Sequence, residues 1–168
     1  MNKGGLTAKG NALGLFLSTT INRIDKKGRV SVPAAFRTAL ANEAFQGVVL
    51  FRSYTQRTLE GVGMSAMDEL SNRMDSFAFF SEDHDELATA LFGESVQLGF
   101  DGDGRITLPH DFMEFAGITS EAAFVGLGKK FQIWEPKALA TRKSQARDAV
   151  QSKKMILPKS GPQTEDGK

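Results

Sequence analysis

Two segments, Asp25-Lys26-Lys27-Gly28-Arg29 and Asp101-Gly102-Asp103-Gly104-Arg105, carry the residue types in this chain best suited to recognition chemistry. In each, Asp-x-x-Gly predicts a tight turn, because glycine accepts the positive φ that such turns demand. The Asp carboxylate is placed to cap turn N–H groups or to hold the following arginine in one rotamer. A guanidinium projecting past glycine can reach into a DNA groove and pair bidentately with guanine O6 and N7. Lys26 and Lys27, with Arg23 just upstream, are placed to meet flanking phosphates. The second loop has Asp103 where the first has Lys27, and two carboxylates beside a phosphate backbone would repel it. Arg29 is therefore expected to read DNA, with Arg105 structural and paired to Asp101 or Asp103. Asp25, Gly28, Asp101, Gly104 and Arg105 are expected to shape the two loops.

Competing chemistries find less support. Gly126-Leu127-Gly128-Lys129 lacks the spacing and the following Ser/Thr of a phosphate-binding loop, and reads as a hairpin turn. His84 and His110 have no partner at metal-ligand spacing. The acids around His84 (Glu82, Asp83, Asp85, Glu86) read as a solvated helix start rather than a metal or acid/base site. Cysteine is absent, so a thiolate site is excluded. No catalytic residue, metal, cofactor or small-molecule ligand is expected.

The loops need elements to hold them, and here the chain repeats itself. Ile24 to Phe36 and Phe100 to Phe112 align without a gap at an offset of 76 residues. Asp, Gly, Arg, Pro and Phe are identical in place, and Val/Ile, Ser/Thr and Val/Leu match in shape. In each copy an alternating strand enters the turn, as in Val96, Leu98 and Phe100. A β-branched run leaves it as the second arm of a hairpin, and Pro33 or Pro109 opens a short helix. Phe36 with Leu40, and Phe112 with Ala116, would share the buried faces of those helices.

Between the copies the period changes. Met64, Met67, Leu70, Met74 and Phe77 mark an amphipathic helix whose methionines are expected in a core or subunit contact. Leu87, Ala88, Leu91 and Phe92 mark another. The expected organisation is an N-terminal extension (1–14, flexible), a first repeat (15–62), a helical insert (63–93) and a second repeat (94–138). A C-terminal helix (139–150) and a disordered tail (151–168) complete it. At 168 residues and a net charge of +1, bulk composition says little about nucleic acid. Its distribution says more: net charge is +6 over residues 1–60, −10 over 61–120 and +5 over 121–168. One surface can thus face a polyanion while another does not. No apolar run reaches the roughly 18 residues of a membrane helix, and a cytoplasmic protein is expected.

With both motifs in view, the chain resembles the MraZ family, bacterial regulators of the division and cell-wall gene cluster built from two tandem SpoVT-AbrB domains. The resemblance runs from about Leu15 to Trp134. It includes Phe115-Ala116-Gly117-Ile118 and Val125-Gly126-Leu127-Gly128-Lys129-Lys130-Phe131-Gln132-Ile133-Trp134. It implies an α+β, β-rich fold, a pseudo-symmetric swapped-hairpin barrel of two repeats with a helical insert, and ring-like homo-oligomers. It also implies a nucleoid-associated repressor of its own promoter that binds short repeats in double-stranded DNA. Arg29 would correspond to the DNA-contacting arginine and Lys27 to its basic neighbour. An antitoxin-like protein on the same fold, neutralising a partner toxin, is the alternative.

Overall fold

The duplicated sequence folds into duplicated structure. The computed structural model describes residues 14–160, an α+β chain rich in strands. The first repeat runs β1 (Thr19–Arg23), β2 (Arg29–Ser31), α1 (Ala34–Ala39), β3 (Gly47–Arg52) and β4 (Leu59–Val62). An insert follows: α2 (Met64–Met74), then α3 (Glu82–Ala88) continuing into a π-helical turn (Thr89–Gly93). The second repeat mirrors the first: β5 (Val96–Gly99), β6 (Arg105–Thr107), α4 (His110–Ala116), β7 (Glu121–Gly126) and β8 (Phe131–Trp134). Pro33 and Pro109 stand just before α1 and α4. Their carbonyls accept the amides of Phe36 and Arg37, and of Phe112 and Met113, so each short helix starts where proline has fixed the chain.

Strand order shows how the repeats interlock. One antiparallel sheet runs β1-β7-β8-β4-β3-β5, and β2 and β6 form a separate ribbon. Exchanging the repeats (β1 with β5, β3 with β7, β4 with β8) returns the same order read backwards, so a pseudo-twofold relates them. The first strand of each repeat lies on the other repeat's sheet: β1 pairs β7 and β5 pairs β3.

Two expectations are corrected here. β2 is not the second arm of a hairpin with β1; those segments share only the bridge Ile24–Val30, and β2 pairs β6 across the repeats. Nor is the barrel closed, because β2 and β6 leave the sheet to pair with each other, and β1 and β5 remain its edges.

The core follows from this interlock. Val30, Ile106, Phe36 and Phe112 pack with Phe16, Phe124, Phe131 and Ile133 in one cluster drawn from both repeats. β3 is buried on both faces, which explains its continuous apolar run: Val48 and Leu50 join that cluster, while Val49 and Phe51 join a second with Val62, Met67 and Leu91. Met67 and Met74 are buried, as the methionine stripe predicts, whereas Phe77 lies beyond the end of α2 and is exposed.

Of the described residues, 137–160 belong to a second compact unit, and α5 (Pro136–Ser152) is its helix. Residues 153–160 carry no regular strand or helix. The N-terminal extension up to residue 13 and residues 161–168 lie outside the described residues. Among the described residues no helix is long and apolar enough to cross a membrane.

Candidate nucleic-acid interface

The two Asp-x-x-Gly-Arg loops are built alike. Asp25 Oδ1 accepts the amides of Lys27 and Arg29, each at 2.9 Å, and Oδ2 accepts Arg29 Nε at 2.6 Å. Asp101 Oδ1 likewise accepts the amides of Asp103 and Arg105 at 2.9 Å, and Oδ2 accepts Arg105 Nε at 2.9 Å. Gly28 and Gly104 turn the chain at φ +83° and +72°. A side chain there would be strained and crowded as well: a Cβ on Gly28 would lie 3.1 Å from Leu108 O, and one on Gly104 2.6 Å from the Arg37 guanidinium.

The ribbon brings both motifs onto one surface. Arg29 faces Thr107, Val30 faces Ile106 and Ser31 faces Arg105. Side chains alternate along a strand, so Val30 and Ile106 point into the core while Arg29, Ser31, Arg105 and Thr107 share the outer face. The arginines are diagonal neighbours, roughly 7–8 Å apart at Cα. The ribbon is locked at both ends by Leu108 N donating to Gly28 O (2.9 Å) and Val32 N donating to Gly104 O (3.1 Å). Asn22 Nδ2 donates to Ser31 O at 2.8 Å, tying the ribbon to β1. A two-stranded ribbon of this kind is an element that the major groove admits.

The faces differ at their tips. With Nε held by Asp25, the Nη end of Arg29 bonds no other side chain among the described residues, whereas Arg105 also gives Nη2 to Asp103 at 3.2 Å. Lys26 and Lys27 are exposed beside Arg29, and Asp103 is exposed beside Arg105. Arg23 is exposed at the end of β1, opposite Glu121. Sequence reasoning missed Ser31 and Thr107 as members of this face; alternation from Arg29 and Arg105 was the signal for them. His84 lies half-buried, its ring beside Phe79, and among the described residues no three His, Asp or Glu side chains gather as a metal site.

Hydrogen bonding sets the acidity of the loop carboxyls. The amide of Arg29 holds the Asp25 carboxyl below the usual range, and the amide of Arg105 does the same for Asp101. The Asp101 carboxylate in turn pushes Arg105 up, helped by the charges of Asp103 and of Asp25 in the other loop. Because the folded pKa is depressed, each carboxylate supports its loop fully above the unfolded value of about 3.9, and that support fades as pH falls below it. Acid titration followed by amide NMR is expected to lose protection of Arg29 N–H and Arg105 N–H together below about pH 4. In an Asp25→Asn protein, loss at Arg29 alone should become independent of this titration; an unchanged Arg29 profile would refute the capping role.

The fold and its paired loops define the class: a duplicated, strand-swapped protein of the AbrB-like type that presents arginine turns on a β-ribbon. A family profile described as "MraZ protein, putative antitoxin-like" matches residues 91–155. A protein of Rickettsia bellii named transcriptional regulator MraZ is 41% identical over 146 residues, covering 86% of this chain and 97% of the relative. Proteins of the same name from Rickettsia akari and Rickettsia rickettsii are 39% and 40% identical over 145 residues, with the same coverage. The chain belongs to the MraZ family.

Proposed function

We propose that this protein is a DNA-binding transcriptional regulator that lays the β2–β6 ribbon in the major groove, with Arg29 reading a guanine. The observation that carries this reading is the outer face of the ribbon, where Arg29 keeps its Nη end available in the same loop as exposed Lys26 and Lys27. Relatives named as transcriptional regulators support it. Asp25 orients the guanidinium and lowers the freedom lost on binding. Arg105, engaged by Asp101 and Asp103, serves to hold its loop.

A single protomer has few phosphate contacts: Lys26, Lys27 and Arg23 neutralise about three. Tight binding at physiological salt then calls for several protomers on repeated sites, which adds avidity of roughly 10²–10⁴. We therefore read the protein as a homo-oligomer, ring-like, acting at the nucleoid. Its target is short repeats upstream of its own gene, where it represses the division and cell-wall cluster. Footprinting on that DNA tests the proposal, and periodic protection is the expected result. Log affinity should fall against log salt with a slope of about −3 per engaged protomer. A salt-independent affinity would sink the phosphate contacts and with them the reading. The family profile's description as antitoxin-like favours a second reading, in which the same fold neutralises a toxin. Stoichiometric co-purification of a toxin, with no footprint, would establish that one instead.

A further inference from the structure

On the other side of the sheet from the aromatic core, a cavity of about 430 Å³ opens between β4, α2 and the β7–β8 turn. Its size lies within the range of small-molecule sites, about 300–1,000 Å³. Glu60 of β4 lines it, with a side chain only 8% exposed. Oε1 of that carboxylate accepts Gln132 Nε2 at 2.9 Å, and Gln132 Oε1 accepts Trp134 Nε1 at 2.8 Å. Oε2 is buried and has no hydrogen-bond donor. Lys130 Nζ stands 3.1 Å from it, close enough for an ion pair but too oblique for a hydrogen bond. A buried carboxylate oxygen short of a donor is a costly state that a bound N–H would relieve.

The rest of the lining is complementary in a specific way. Phe51, Leu70 and Leu91 supply apolar walls. Arg73 and Lys129 stand on the rim, exposed, and neither forms an ion pair with a carboxylate among the described residues. Glu69 shares that rim and leaves it one net positive charge. The cavity thus holds a buried carboxylate oxygen that is ion-paired to Lys130 but accepts no hydrogen bond, and a rim with one more cation than anion, with apolar surface between.

We propose that this cavity binds a small zwitterion with an apolar body, of the class of apolar α-amino acids and short apolar peptides. The ammonium donates to Glu60 Oε2, displacing Lys130. The carboxylate meets Arg73 or Lys129, and the apolar group lies against Phe51, Leu70 and Leu91. A lone organic cation would leave the rim charges unmatched, and a lone carboxylate would leave Glu60 without its donor. The inference is independent of the DNA reading.

Trp134 is the sole tryptophan, and its indole N–H is two hydrogen bonds from the site, so it reports occupancy. Titration of the ¹⁵N-labelled full-length chain with L-phenylalanine is expected to move the indole resonance with half-saturation in the millimolar range. 2-Phenylethylammonium and 3-phenylpropanoate, which lack one charge each, should bind about tenfold or more weakly. Glu60→Gln should abolish the response. Lys130→Met, which keeps Glu60 and removes the internal competitor, should tighten binding about tenfold. No response to phenylalanine, a response to 3-phenylpropanoate as strong, or unchanged affinity in Lys130→Met would each overturn the proposal.

Discussion

Arg29→Ala is expected to weaken binding to the preferred promoter repeat by about 1–3 kcal/mol for each protomer that contacts it, the discrimination carried by one bidentate arginine–guanine pair. That is roughly 5- to 150-fold per contact, and in an assembly spanning several repeats the losses multiply. Random-sequence DNA should lose far less, because the contact removed is to a base edge and Lys26 and Lys27 remain on the phosphates. Lys27→Ala should behave in the opposite way, weakening all sequences alike and reducing the salt slope by about 1 per protomer. Arg105→Ala separates the two loops. Its guanidinium is engaged at Nε by Asp101 and at Nη2 by Asp103, so promoter affinity should change by less than about threefold. Fluorescence anisotropy with cognate and scrambled duplexes at several salt concentrations reads all of these outcomes. Should Arg29→Ala bind like the wild type, the ribbon face does not read sequence; should Arg105→Ala lose as much as Arg29→Ala, both loops enter the groove and the asymmetry argued from Asp103 is wrong.

The loops were legible in the sequence because their structure is local. Asp25 and Asp101 find their hydrogen-bond partners within four residues, and the positive φ at Gly28 and Gly104 follows from the turn itself. The 76-residue offset makes the duplication legible in the sequence. What the chain concealed is non-local. Strands of three residues, such as β2 and β6, carry too little pattern to say whether they pair with the strand before the turn or with each other. Their choice of each other opens the expected barrel into a sheet and a ribbon, yet it places Arg29 and Arg105 on one face. Departures from symmetry were equally hidden. Arg37 folds over the Gly104 turn and donates Nε to Val32 O, whereas its counterpart in the second repeat is Met113. Glu60 alternates with Leu59 and Gly61 as a solvated strand residue would, yet it is buried beside its cross-strand neighbours Phe51 and Gln132 and the Lys130 side chain.

Phe36→Ala is expected to destabilise the protein by about 3–5 kcal/mol, the largest stability loss of any single substitution considered, and a large part of the 5–15 kcal/mol typical of a domain. Phe36 is 2% exposed on the inner face of α1, in the first repeat. Its ring meets Phe16 at 5.2 Å edge-on and two rings of the second repeat, Phe131 at 5.3 Å and Phe124 at 6.3 Å. Truncation therefore leaves a cavity at the seam of the strand-swapped repeats, where both must shift to fill it, and removes aromatic pairs worth about 0.5–1.5 kcal/mol each. Phe112, its counterpart one 76-residue offset away, is as buried but carries the Arg52 guanidinium 4.5 Å above its ring in place of an aromatic cluster. Arg52 is held independently by Asp111 and Glu94, so it stays in place when the ring is lost. Phe112→Ala should accordingly cost less than Phe36→Ala by about 1 kcal/mol, although the sequence motif makes the two positions look equivalent. Urea unfolding of both variants decides the point. Equal midpoint shifts would mean that the cross-repeat ring cluster adds nothing beyond burial, and a smaller loss at Phe36 would overturn the view that the seam is where the fold is most sensitive.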